Sequence, residues 1–283
     1  MANRALVIGS ETGVLSGVEN DARNVEAFFK QRKFEVDLRT RSDATRAGIL
    51  EGYDALINGV GSSDAAVVYY SGHGNFTISS NPASQDRLQD IVPFDYEQST
   101  DDDYRGISSK ELSIKLRQLM KKTSNATVIL DCCHSAQMSR DGAARDAMAR
   151  AFPHPLYVDL AAYHKKLDEL YPGELAALGI GGNPDAVRLV ACAQSELANE
   201  YTNDKNVRTG AFTEALLELF AEVGDAPVTW AVLGQAIRER VLRRFPTQRP
   251  DFDGRVDRRP FSLAELPQRD AVTIARVASA PLA

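Results

Sequence analysis

The segment Ala65 to Tyr70, Ala-Ala-Val-Val-Tyr-Tyr, runs without a polar interruption. A strand with one wet face alternates polar and apolar side chains, so this run belongs at the centre of a sheet covered on both sides. Sheets covered in that way are built from parallel strands joined by crossover helices. The surrounding sequence supplies both parts. Arg4 to Ile8 reads as a further buried strand, and Phe34 to Leu38 and Ala126 to Leu130 as further short strands. Val18 to Arg32 sets Val18, Ala22, Val25, Phe28 and Phe29 on roughly one helical face, and a second helix covers about Thr45 to Leu56. Ser108, with Glu111 three residues on as in a capping box, opens a third helix that reaches Met120 or Lys122. The fold class is therefore α/β, a mostly parallel central sheet with helices on both faces. Residues 75 to 103 are polar and punctuated by proline; they read as loop, with only Ile91 to Phe94 extended, and close on the acidic run Asp101-Asp102-Asp103.

Beyond the strand at Ala126 the character changes. Ala136 to Pro155 is rich in Ala, Arg and Asp and reads as exposed, part of a mobile linker over about 136–158. A helix near Leu160 to Leu170, a Gly-rich turn at 179–182, an apolar strand Val187 to Cys192 and helices over Gly210 to Glu222 and Val228 to Arg244 complete a domain expected to span 1–262, with 263–283 a tail or the start of a removed region. At 283 residues with 43% hydrophobic and 25% charged side chains, the chain can close a core without metal or disulfide staples. Its three cysteines, Cys132, Cys133 and Cys192, two of them neighbours, form no disulfide framework and suit a reducing, cytoplasmic setting. The N-terminal apolar run is too short for a signal or a membrane span, and a net charge of -6 argues against nucleic-acid binding through overall charge. The Arg-rich stretch 238–259 is interleaved with Glu239, Asp251, Asp253 and Asp257 and reads as a solvated helix face with a following loop.

Catalytic groups on a parallel sheet gather beyond the carboxyl ends of its strands. Two strands here end in reactive residues: one delivers Ser71-Gly72-His73-Gly74, the other Asp131-Cys132-Cys133-His134-Ser135. A cysteine and a histidine are a nucleophile and its proton-transfer partner. Glycines beside the histidine let a substrate backbone approach and turn an N–H toward a developing oxyanion. A zinc site from Cys132, Cys133 and His134 fails, because three adjacent side chains cannot converge on one tetrahedral ion. Gly9-Ser10-Glu11-Thr12-Gly13 after the first strand lacks both G-x-G-x-x-G and a P-loop lysine, which disfavours a nucleotide-binding domain.

The two strand-end motifs resemble those of the caspase-fold cysteine peptidases, peptidase family C14, and within them the metacaspase and bacterial orthocaspase branch. Further segments extend the resemblance over roughly residues 4–262: Leu15 to Ala22, Val92 to Tyr96, Val190 to Cys192, Gly210 to Leu217 and Gln248 to Gly254. The motif departs from the animal caspases in having Asp131 where they have Gln. The resemblance implies a caspase-hemoglobinase fold and an endopeptidase working through a Cys-His dyad and a thioester. In the family pattern Asp, small residue, Cys, His, Ser, the nucleophile is Cys133; Cys132 then packs on the opposite side and His134 is structural. His73 serves as acid and base, and the N–H groups of Cys133 and Gly74 stabilise the oxyanion. The alternative is a catalytically silent caspase-like interaction module, which two intact reactive residues disfavour.

Asp131 lies two residues before Cys133, so in an extended segment its side chain falls on the same side. By resemblance Asp21 is the second acid of the first specificity pocket, and Ser71 a hydroxyl lining it. Two carboxylates in one cleft repel unless a cation joins them, so the expected partners are protein or peptide substrates with Arg or Lys before the cut. Arg140, Arg145 and Arg150, among small residues in the linker, are candidate self-cleavage sites. Many metacaspases hold calcium through an acidic cluster that includes an adjacent pair, where this chain has Ser109 and Lys110; no metal and no calcium dependence are expected. The oligomeric state is open, with a monomer favoured.

Overall fold

A computed structural model describes residues 2–84, 87–100, 103–133, 147–152, 157–178, 183–193 and 196–264. The elements run β1 (Arg4–Ser10), α1 (Val18–Gln31), β2 (Glu35–Thr40), α2 (Arg46–Gly59), β3 (Ala66–Gly72), β4 (Gly74–Ser79), β5 (Arg87–Ile91), β6 (Ile107–Ser108), α3 (Ser109–Met120) and β7 (Ala126–Asp131). They continue with β8 (Met148–Ala149), β9 (Tyr157–Val158), α4 (Leu160–Leu170), β10 (Val187–Val190), β11 (Asn199–Thr202), β12 (Arg208–Gly210), α5 (Ala211–Val223), α6 (Trp230–Arg244) and β13 (Asp251–Asp253). The main sheet has the order β13-β10-β7-β3-β1-β2, parallel except for the antiparallel edge strand β13.

Helices cover both faces, and the alternation along β1 shows why the strands read as continuous apolar runs. Ala5 and Val7 point to a cluster built with α1, α5 and α6, including Val25, Phe29, Phe212, Leu216 and Trp230. Leu6 and Ile8 point the other way, to Ile49, Tyr53 and Leu56 of α2 and Leu116 and Leu119 of α3. Each such side chain gains about 1.5–3 kcal/mol on leaving water, so a polar residue at either parity would be costly. Hydroxyls and a carboxylate cap the helices: Ser108 accepts the Glu111 N–H, as its sequence position suggests, Thr45 that of Gly48, and Asp159 those of Ala161 and Ala162. The expected capping box is only half made, because the Glu111 carboxylate turns to Arg46 and the Tyr163 hydroxyl instead.

Three sequence expectations are corrected. Residues 75–79 and 87–91 are not loop: β4 and β5 pair antiparallel in a second sheet, order β6-β5-β4-β9, while Val92 to Phe94 is not a strand. The part of the linker at 147–152 is not exposed, since β8 joins a third sheet with β11 and β12. In the Arg-rich stretch Arg238, Arg240, Arg249 and Arg255 pair with acids as a solvated face would, but Arg258 is buried and donates to the Ser124 and Asp185 carbonyls. The turn at 179–182 and residues 265–283 lie outside the described residues. No helix among the described residues is long and apolar enough to cross a membrane.

Candidate active site

β3 and β7 are neighbours, and their register sets Ser71 directly opposite Asp131. The two reactive segments therefore leave the sheet side by side. Cys133 belongs to the apolar cluster under α1, α5 and α6 and Cys132 to the cluster on the other face, so the two adjacent cysteines point in opposite directions. Burial pushes the Cys132 thiol well above its ordinary value. The Cys133 sulfur accepts the Ala198 N–H at 2.9 Å and lies 3.3 Å from the Ala198 carbonyl oxygen. Cys192 comes to the same place, and its hydrogen bond with Cys133, then burial, raises its pKa well above that of a free thiol.

His73 is buried, with the backbones of Arg150 and Thr12 against its ring. Burial pushes the imidazole down to about 4, so near neutral pH it is the free base, able to take a thiol proton. Its backbone is fixed by the Tyr70 hydroxyl, which donates to the His73 carbonyl at 2.7 Å. The next residue must be glycine for a steric reason. A Cβ at Gly74 would collide with the Cys133 carbonyl, so only glycine lets β4 start this close to the end of β7.

Asp21 and Asp131 come together, with a cation between them. Arg150 is fully buried, although the sequence placed it in an exposed linker as a candidate cut site. Its Nη1 donates to the Ser71 hydroxyl at 2.7 Å and lies 3.1 Å from the Asp131 carboxylate; its Nη2 reaches Asp21 at 2.5 Å and Glu200 at 3.5 Å. All three carboxylates are likewise buried. Further donors hold the carboxylates in place. Asp131 accepts the N–H and hydroxyl of Thr213, and Asp21 accepts the Thr209 hydroxyl and the Gly210 N–H. These N–H groups open α5, where helical donors are unsatisfied and the helix dipole favours anions. Glu200 is held by the Ser16 N–H at 3.0 Å and by Arg208 at 2.9 Å. Gly210 is the second glycine that close approach demands, since a Cβ there would strike Asp131 and lie 2.8 Å from the Arg150 guanidinium. Burial raises Asp131 to about 6, against the lowering effect of Arg150 and in the same direction as its neighbour Asp21.

The backbone of Arg150 is held as closely as its side chain. Its carbonyl oxygen accepts N–H groups from Gly74 at 2.9 Å and from Cys133 at 3.3 Å, the two donors expected to face an oxyanion. On one side β8 pairs with β11 and the Arg150 N–H donates to Ala198; on the other, Ala151 bridges Gly74. Sequence reasoning missed Glu200, Thr209 and Thr213. Glu200 lies in a polar stretch that carries no strand signal, and the two threonines acquire their role from the fold of α5 against β7. Of the other candidate cut sites, Arg140 and Arg145 lie outside the described residues, as do His134 and Ser135.

Comparison with known proteins agrees with this layout. The family model described as "Caspase domain" matches residues 2–262. Metacaspase-1 of Mycosarcoma maydis is 31% identical over 149 residues, covering 47% of this chain and 35% of that protein. Metacaspase-1 of Cryptococcus neoformans var. neoformans is 31% identical over 150 residues, 47% of this chain and 31% of that one. The chain thus spans about a third of the length of the curated relatives it matches. A crystal structure of a protein from Geobacter sulfurreducens superposes with a TM-score of 0.65 at 20% identity, over 94% of this chain and all of that one, a likeness of fold alone.

Proposed function

The chain belongs to the caspase-domain family of peptidases, and on that premise we propose that it is a cysteine endopeptidase that cuts after Arg or Lys, its own chain included. One observation carries the reading: Arg150 lies in the cleft as a substrate residue would, its guanidinium on the carboxylates of Asp21, Asp131 and Glu200 and its carbonyl oxygen on the N–H groups of Gly74 and Cys133. In this mechanism His73 takes the Cys133 thiol proton, and the sulfur adds to the carbonyl carbon of the basic residue. The two N–H groups stabilise the oxyanion. As the C–N bond breaks, His73 passes the proton to the departing amine and leaves a thioester on Cys133. His73 then deprotonates a water, which releases the acid and restores the thiol. An Arg held this way in the uncut chain makes the bond from Arg150 to Ala151 the first to be cut. A silent interaction module would have no use for two N–H donors aimed at a carbonyl in a cleft that also holds a thiol and a neutral imidazole.

Profiling the self-cleaved protein against a peptide library tests the specificity. Cleavage is expected after Arg and Lys and not after Asp, and Asp131→Asn or Asp21→Asn should each lower the Arg-directed kcat/KM by about thirtyfold or more, in line with removing one partner of an enclosed pair. The Asp131 pKa adds a pH dependence: its raised value means that protonation below about pH 6 removes the charge that binds the guanidinium, so Arg-directed kcat/KM should fall on the acid side. Efficient cleavage after Asp would overturn the basic-residue reading.

Calcium dependence is not expected. Lys110 stands 2.9 Å from the His164 ring, and the neighbouring Glu111 carboxylate is already engaged by the Arg46 guanidinium. A hydroxyl and an ammonium at Ser109 and Lys110 offer a hard cation little charge or coordination. Activity should be unchanged by a calcium chelator, and strong inhibition would refute this.

A further inference from the structure

Past Arg150 the chain continues along the edge of the second sheet. Ala151 bridges Gly74 in parallel register, and the Phe152 N–H donates to the Gly74 carbonyl at 2.9 Å. These bonds fix the direction in which the Phe152 side chain leaves the backbone. Its ring meets the His73 imidazole edge-on, with centroids 5.6 Å apart at 83°, and the Tyr96 ring at 5.1 Å and 73°. Tyr96 is fully buried, and its hydroxyl accepts a hydrogen bond from the Asn75 amide at 2.6 Å. Leu88, Val92, Tyr104 and Leu167 belong to the same apolar cluster. Phe152 is only partly buried, so it covers this cluster from outside and is not its centre.

Resting on the reading that Cys133 cuts after Arg150, we infer that Tyr96, the edge of His73 and the cluster around them form a subsite for an aromatic side chain two residues after the cut. The shape favours a ring, because edge-to-face contacts with both Tyr96 and His73 are available to an aromatic and not to an aliphatic group of similar volume. Filling the subsite keeps water from the apolar floor and holds the amine that departs in line with the imidazole that protonates it. A small residue leaves the floor wet, and a charged one is desolvated without a partner.

Two measurements test this. In the chain itself, Phe152→Ala should slow self-cleavage at least about tenfold, with Phe152→Leu intermediate and Phe152→Tyr within about threefold of wild type, the scale on which an apolar pocket discriminates. In solution, the capped peptides Ala-Met-Ala-Arg-Ala-Xaa would be offered to self-cleaved Phe152→Ala, whose own ring no longer fills the subsite, and kcat/KM for Phe should exceed that for Ala or Asp at least about tenfold. If Phe152→Ala does not fold, Phe152→Leu takes its place with the same peptides. A phenylalanine that merely packs the fold would lower the melting temperature and leave the Xaa preference flat. A flat preference with efficient cleavage after Arg overturns the subsite and leaves the peptidase reading standing. Failure to cut any peptide or the chain itself overturns the peptidase reading and the subsite with it.

Discussion

Replacing Cys133 with alanine should abolish cleavage of both peptides and the chain itself, by about 10⁵ or more in rate, the loss seen when a covalent nucleophile is removed from a hydrolase. Cys132→Ala should keep most of the activity. The difference follows from the alternation of side chains at the end of β7, since the Cys133 sulfur lies against Ala198 while Cys132 is buried in the apolar cluster on the far face. Removing one buried sulfur costs packing of about 1 kcal/mol, enough to lower the melting temperature without touching the chemistry. Hydrolysis of an Arg peptide and a thermal melt on both variants settle the matter. An inactive Cys132→Ala beside an active Cys133→Ala would mean that the motif is read one position out of register.

The register was legible because the strands around it are. Ala65 to Tyr70 has no polar break, and both parities of β3 face apolar clusters, so sequence and burial agree. The stretch at 75–91 misleads for the opposite reason. Asn75, Thr77 and Asp90 read as loop, yet all three are buried in β4 and β5, where Thr77 bonds Asp90 and Tyr104, and Asn75 bonds Tyr96. Polar groups buried with partners leave no apolar period to detect. Asp21, Ser71 and Asp131 were found through their motifs, and the structure brings all three to one guanidinium. Glu200 has no such motif: it is defined by Arg150, Arg208 and Ser16, and the last lies 184 positions away. The burial of Arg150 was illegible for the same reason. Its local composition is that of a loop, and every group that buries it comes from elsewhere in the chain.

Arg150→Gln should block cutting between residues 150 and 151 and open the cleft. The amide keeps much of the volume and two donors but carries no charge, so Asp21, Asp131 and Glu200 are left facing one another, buried, with Arg208 as their nearest cation, on Glu200. Stranding buried charges in this way costs about 3–5 kcal/mol when the site stays closed. Two responses lower that cost: Asp131, already raised to about 6, takes up a proton, or the segment at 147–152 leaves and water enters. Departure is the easier course, because β8 is only two residues long and holds to β11 by a short register. Cys133, wholly buried while Arg150 is in place, then meets solvent. Thiol alkylation of Cys133 should therefore be faster in the double variant Arg150→Gln/His73→Ala than in the control His73→Ala, an uncut chain that keeps Arg150 and lacks the same base. Mass spectrometry should show the Gln variant intact at this bond. Arg150→Lys should cut at a reduced rate, since an ammonium supplies the charge but not the forked geometry that reaches Asp21 and Asp131 together. If Arg150→Gln is cut at the same bond as fast as wild type and Cys133 of the double variant reacts no faster than in the control, Arg150 is a structural ion pair and the cleft is not a substrate site for the chain's own arginine.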